Sequence, residues 1–178
     1  REGHRALIES LAEAAGGDTS AFIRAQVLDA EAPAAPFHDD SSLDSALAEA
    51  LRAAPGNVKL PPWAVSGAMP QIISGEKAIP PALVDSLTRM LAKQSIPAAD
   101  LLRARIDKGS LDRFLWSLFD AWLKNDAPSK EKWALLALGH LGSNAIALKL
   151  APLVRKWPGE SQHQRAVTGL QVLRTIGT

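Results

Sequence analysis

The chain contains no cysteine and no tyrosine. Without a thiol it can build no disulfide, no cysteine-ligated zinc or iron–sulfur site and no thiol nucleophile. No uninterrupted apolar run approaches the roughly 18 residues that argue for a membrane span. The opening Arg1-Glu2-Gly3-His4 has neither an initiator Met nor the apolar stretch of a signal peptide. No Gly-x-Gly-x-x-Gly, P-loop, Gly-x-Ser-x-Gly or His-Glu-x-x-His string occurs. The four histidines, His4, His38, His140 and His163, share no metal-ligand spacing. These absences lead us to expect a cytoplasmic globular region with no membrane association, no metal, no cofactor and no catalytic residues of its own.

Net charge is nearly absent as well, with 20 Lys and Arg against 19 Asp and Glu. The balance hides an asymmetry. Residues 1–57 carry four basic and ten acidic side chains, a net of −6, and residues 58–178 carry sixteen and nine, a net of +7. The basic residues are scattered at helical spacing: Lys124, Lys130 and Lys132 alternate with Asp120, Asp126 and Glu131. That pattern reads as a solvated surface rather than a nucleic-acid face, which calls for a dense Lys/Arg stripe with exposed aromatics.

What the chain does contain is helical periodicity. At 178 residues it suits one domain or two small ones, long enough to bury roughly 70% of its unfolded surface. Leu7, Ile8, Leu11 and Ala15 predict a first helix, ended by Gly16-Gly17, and Phe22, Ile23 and Val27 a second. The run 32–38, with Pro33 and Pro36, is a connecting loop. Ser41-Ser42-Leu43-Asp44 resembles a capping box opening a third helix, with Leu43, Leu47 and Leu51 inside. Residues 1–57 thus form an acidic three-helix segment.

Residues 58–81 hold Leu60-Pro61-Pro62-Trp63, Met69-Pro70 and Ile79-Pro80-Pro81, which break any long helix. Their large apolar side chains predict an extended, turn-rich segment packed across neighbouring helices. From residue 82 onward helices resume. Leu83, Leu87, Met90 and Leu91 line one; residues 97–107 make another, with Gly109-Ser110 breaking and recapping the chain. Residues 111–124 carry the widest apolar face. Ser129 is a candidate cap for the helix of Trp133, Leu135, Leu138 and Leu141, and further helices cover about 144–157 and 161–176.

An offset of 35 residues superposes Leu135 on Leu170, Leu138 on Leu173, Leu141 on Ile176 and Gly142 on Gly177. The shared pattern is an apolar helical stripe ended by a glycine able to take the left-handed conformation. The segment 144–157 is then expected to pack back as the second helix of the unit. Helix pairs at this period resemble HEAT-like repeats. The expected fold is all-α: a HEAT-like α-solenoid or an irregular multi-helix array of about 8–9 helices, with one Pro-rich extended segment. The sequence ends at Gly177-Thr178, where the earlier unit enters its second helix, so we read the chain as part of something longer.

Two stretches, 119–142 (FDAWLKNDAPSKEKWALLALGHLG) and 150–170 (LAPLVRKWPGESQHQRAVTGL), resemble large bacterial proteins of the MolR type. The Leu60-Pro61-Pro62-Trp63 and Ile79-Pro80-Pro81 segments fit the same region, so the likeness covers about residues 58–178. Those proteins often carry a WGR module and a C-terminal domain of unknown function. The resemblance implies an internal HEAT-like region outside that module. The family name points to regulation connected with molybdate, and no catalytic residue transfers to this chain.

His38-Asp39-Asp40 places an imidazole beside two carboxylates, but acids before a helix also favour its positive N-terminus. His140 lies within an apolar helix and reads as a packed histidine. The five tryptophans, Trp63, Trp116, Trp122, Trp133 and Trp157, read as core, with Trp63 the one expected to be partly exposed. One segment, 156–165, gathers a tryptophan, basic side chains, a histidine and amides between two helices. Lys156, Trp157, His163 and Arg165 are therefore the candidate binding residues, since repeat proteins bind through loops on one side of the stack. The expected role is a non-catalytic scaffold whose partners are other domains of the same chain or another protein. The alternative is a substrate-binding accessory region of an enzyme whose catalytic domain lies elsewhere, which predicts a deep pocket around Trp157, His163 and Arg165.

Overall fold

A computed structural model describes residues 43–177 of the chain. The expectations for residues 1–42, including His4, His38-Asp39-Asp40 and the two first helices, lie outside the described residues. Those described fall within one compact unit, 39–178. They are mostly helical: α1 (Ser45–Arg52), α2 (Pro81–Lys93), α3 (Ala99–Arg105), α4 (Lys108–Lys124), α5 (Trp133–Leu141), α6 (Asn144–Lys156) and α7 (His163–Ile176). Among the described residues the strands are a two-residue antiparallel pair, Ile73–Ser74 with Lys77–Ala78. The all-α expectation therefore holds for this part of the chain.

Each helix start has a local cause. Asp44 itself caps α1, its carboxylate accepting from the Ala46 N–H at 3.0 Å, and reaches Arg105 of α3 at 2.7 Å. Leu43 is buried just ahead of that cap. Pro81 opens α2, where its missing N–H costs nothing. The expected break at Gly109-Ser110 does not occur. Asp107 is the cap, accepting from the Ser110 N–H at 2.7 Å, and Gly109 and Ser110 form the first turn of α4. Ser129 likewise opens a short 3-10 turn, Ser129–Glu131, and α5 begins at Trp133 with no side-chain cap.

The Pro-rich segment is pinned rather than loose. Ala64, Ile72 and Ile79 are fully or nearly buried, and Trp63 and Met69 pack on the core. The Asp85 carboxylate of α2 accepts from the Ser66 N–H at 2.8 Å, and the Ser110 hydroxyl of α4 accepts from the Ile73 N–H at 3.0 Å. Trp63 is partly exposed, as its neighbours suggested, and stacks on Trp133 with centroids 5.7 Å apart.

The helices after residue 107 form two hairpins. Helix α4 packs against α5 and α6 against α7, whereas α5 and α6, consecutive across Gly142, share no comparable interface. The 35-residue unit therefore differs from the one the leucine pattern suggested: it starts one helix earlier and ends, rather than begins, at the Leu-x-x-Leu stripe. With that frame the offset extends through the first helix of each hairpin. Leu111, Leu115, Phe119 and Trp122 of α4 correspond to Ile146, Leu150, Val154 and Trp157 of α6 and its following turn, and all eight are buried. The interhelical turns correspond as well, since Asp126 and Ser161, also 35 apart, both adopt a left-handed backbone with φ of 63° and 61°.

The terminal glycines were expected to be the left-handed residues, and they are not. Gly142 is extended (φ −70°, ψ 150°) and Gly177 helical (φ −81°, ψ −2°). At Gly142 the reason for glycine is space, because a Cβ there would collide with the Leu138 carbonyl oxygen.

In one layer α5 packs against both α2 and α7; in the other, α4 packs against α6. The turn between the hairpins is held by Asp112 of α4, whose carboxylate accepts from the Ser143 N–H at 3.0 Å and from the Ser143 hydroxyl. Ser143 in turn caps α6 through the Ala145 N–H. Phe119, wholly buried in α4, meets Trp122 at 6.1 Å and Trp157 of the second hairpin at 6.3 Å.

Candidate functional site

The two corresponding indoles, Trp122 and Trp157, share a partner. The Arg165 guanidinium, in the first turn of α7, lies 5.5 Å from the Trp122 ring centroid and 5.8 Å from that of Trp157. Both distances are within the reach of a cation–π interaction. Trp122 is itself fixed by its indole N–H, which donates to the Pro128 carbonyl at 3.0 Å. Arg165 thus sits at the seam between the hairpins, within cation–π reach of an indole from each.

Beside it runs an open groove of about 270 Å³, bordered by Ser129, Lys132, Gln162, Gln164, Arg165 and Thr168, with buried Trp122 and Leu135 at its base. Among the described residues no carboxylate lines it. Neither Lys132 nor Arg165 has an ion-pair partner among the described residues. Two unmatched cations among amides and hydroxyls can hold an anion through charge and N–H donors. The groove presents no arrangement of a nucleophile hydrogen-bonded to a base. Among the described residues no cluster of three His, Asp or Glu side chains could hold a metal ion.

The four residues singled out by sequence are separated by the structure. Arg165 lines the groove. Trp157 is 3% exposed and serves as its buried support. Lys156 points to solvent and pairs with Glu160 at 2.7 Å; that hydrogen bond and charge hold its ammonium above the usual lysine range. His163 is exposed at the first position of α7 and does not line the groove. Lys132, Ser129 and Thr168 were not singled out. Lys132 and Ser129 reach the groove from the turn of the preceding hairpin, and only the correct unit boundary, visible in the Trp122–Trp157 offset, relates that turn to residues 162–168.

Another hollow, about 450 Å³, opens beside Arg103, Lys108 and Asn144. Its arginine is already committed: Arg103 pairs with Asp100 at 3.1 Å and donates to the His140 carbonyl oxygen. His140 is half-buried, and burial first, then the Arg103 charge, pushes its imidazole pKa below the usual value. Neutral and packed, it matches the expected structural role.

Comparison with known proteins is sparse. No family model matches the chain, and no solved structure matches it. A stretch of 64 residues, 36% of this chain, is 42% identical to part of the uncharacterized protein YehI of Escherichia coli (strain K12). That stretch covers 5% of the relative, so the chain spans only a small fraction of its length. Among the described residues no helix is long and apolar enough to cross a membrane.

Proposed function

We propose that this region is a HEAT-like helical scaffold within a longer cytoplasmic protein of the MolR type, and that it binds protein rather than performing chemistry. The observation carrying this reading is the seam groove, where Arg165 is held by corresponding tryptophans and neither it nor Lys132 has a carboxylate partner among the described residues. An arginine held in one orientation loses less freedom when it binds, and Arg is favoured at protein-binding surfaces for that reason. The HEAT-like assignment draws support from the two hairpins in one 35-residue register and from the contact of α5 with α7, the second helix of each. The membership in a longer protein draws on the similarity to YehI over a twentieth of that protein. Repeat proteins bind through the extended surfaces that their stacked units create.

The accessory-region alternative calls for a deep pocket converging on Trp157, His163 and Arg165. The groove is open, and neither the buried Trp157 nor His163 lines it, so the interaction reading is preferred.

Lysine cross-linking of the full-length protein, read by mass spectrometry, tests the proposal. Lys130 and Lys132 should link to another domain or another polypeptide, while Lys108, on the far hollow, should link only locally. If Lys130 and Lys132 also link only within 43–177, the scaffold reading is wrong.

A further inference from the structure

The turn 129–133 divides the seam groove from a second one. On its other side an open groove of about 530 Å³ is lined by Lys59, Pro61, Pro62, Lys93, Lys130 and Trp133, with Leu60, Ala92 and Glu131 alongside. The two meet at this turn, since Ser129 and Lys132 border the first and Lys130, Glu131 and Trp133 the second. Among the described residues they present five cations, Lys59, Lys93, Lys130, Lys132 and Arg165, against one lining carboxylate, Glu131. None of the five has an ion pair with a described residue. The chemistry differs along the surface. The seam end is polar, whereas the other end has an apolar wall of Leu60, Pro61, Pro62 and Ala92.

We infer that these two grooves form one docking surface for an acidic protein segment that also carries apolar side chains, the carboxylates meeting Arg165 and Lys132 and the apolar groups seating against Pro61, Pro62 and Leu60. The inference deepens the scaffold proposal and rests on it. Three observations select this ligand. Both grooves, about 270 and 530 Å³, are open rather than enclosing, so they suit the side chains of a segment lying across them more than a small molecule that needs most of its surface buried. A guanidinium within reach of two indoles keeps N–H donors for a ligand, and its planar fork matches a carboxylate. The apolar wall would contribute nothing to a phosphate backbone, and the ring that lines this groove, Trp133, is 5% exposed and stacked against Trp63, which leaves it little face for a base. Excess positive charge along both grooves would also steer such a segment and make its capture salt-dependent.

The test is fluorescence anisotropy with the full-length protein and three labelled probes: a Glu/Leu peptide, its Gln/Leu counterpart and a DNA duplex. The Glu/Leu peptide should bind, more weakly as salt rises, and the Gln/Leu peptide should bind at least about tenfold less tightly, a difference of about 1.4 kcal/mol. Arg165→Ala and Lys132→Ala should each weaken the Glu/Leu complex by about tenfold. Lys149→Ala, on the outer face of α6, should leave it unchanged. Lys132 is exposed, so its variant keeps the test valid should Arg165→Ala fail to fold, as judged by its thermal melt. Equal binding of the two peptides, or binding indifferent to Lys132→Ala, would overturn the inference. Tighter, Lys132-dependent binding of the duplex would overturn it in favour of nucleic acid. If Lys130 and Lys132 cross-link to another polypeptide yet the Glu/Leu peptide does not bind, the scaffold reading survives and this inference fails alone.

Discussion

Helices α5 and α7 hold the same place in successive hairpins and share the pattern Leu-x-x-Leu-x-x-(Leu/Ile)-Gly, yet their burial differs. Leu135 is 1% exposed and its counterpart Leu170 is 59% exposed. Helix α5 is apolar nearly all round and lies between α2 and α7, with α4 behind it, so a helix without a polar face has no need of one. Helix α7 is packed by α5 and α6, and buries only Ala166, Gly169 and Val172 fully. The exposed Val167 and Leu170 lie away from those contacts. A repeated apolar pattern therefore specifies which face of a helix can pack, and the neighbours decide whether it does.

The first helices of the hairpins compare more closely. Both bury the same four positions, and their tryptophans converge on Arg165. The second hairpin nevertheless leaves no room for a methyl group at one of its contacts. Ala134 of α5 is replaced at the offset by Gly169 of α7, where a Cβ would stand 2.5 Å from Val154 Cγ2 and 2.9 Å from Trp157 Cζ3. Glycine there lets α7 approach the indole that supports Arg165.

Substitutions can break this comparison at graded strength. Trp133→Ala should be the most damaging, removing a buried ring stacked on Trp63 and costing about 3–5 kcal/mol in chemical denaturation. A loss under about 0.5 kcal/mol, typical of surface sites, would mean that α5 is wrongly phased. Gly169→Ala follows, at about 1–3 kcal/mol from overpacking against Val154 and Trp157. The reverse exchange in the first hairpin, Ala134→Gly, should cost about 2 kcal/mol by a different route, since it adds no clash and loses one buried methyl plus a helix-propensity difference of about 1 kcal/mol. If Gly169→Ala proved neutral, the close contact of α7 with Val154 and Trp157 would be refuted.

Much of the helical layout was legible in the sequence, because apolar spacing and Pro/Gly punctuation act locally. Residues 81–93, 144–156 and 163–176 fell where the periodicity placed them. Helix starts were harder to read: Asp107 and Ser110 compete as caps within four residues, and the choice turns on Ser110 being needed by Ile73, thirty-seven residues away. The repeat was visible but framed one helix late, because the leucine stripes of α5 and α7 are more regular than the mixed Phe, Val and Trp stripe of α4 and α6. The site was half legible. Arg165 and Trp157 stand in a conspicuous loop, whereas Lys132 and Ser129 join them only through packing between hairpins. Lys156 and His163, close in sequence to Arg165, point elsewhere because a helical turn spreads consecutive residues around its axis.

The most direct test of the paired-hairpin account is the unfolding free energy of Leu135→Ala beside that of Leu170→Ala. The account predicts a loss of about 2–5 kcal/mol at the inner position and no more than about 0.5 kcal/mol at the outer one. Equal losses at the two positions would contradict it, since they would place both leucines in equivalent surroundings.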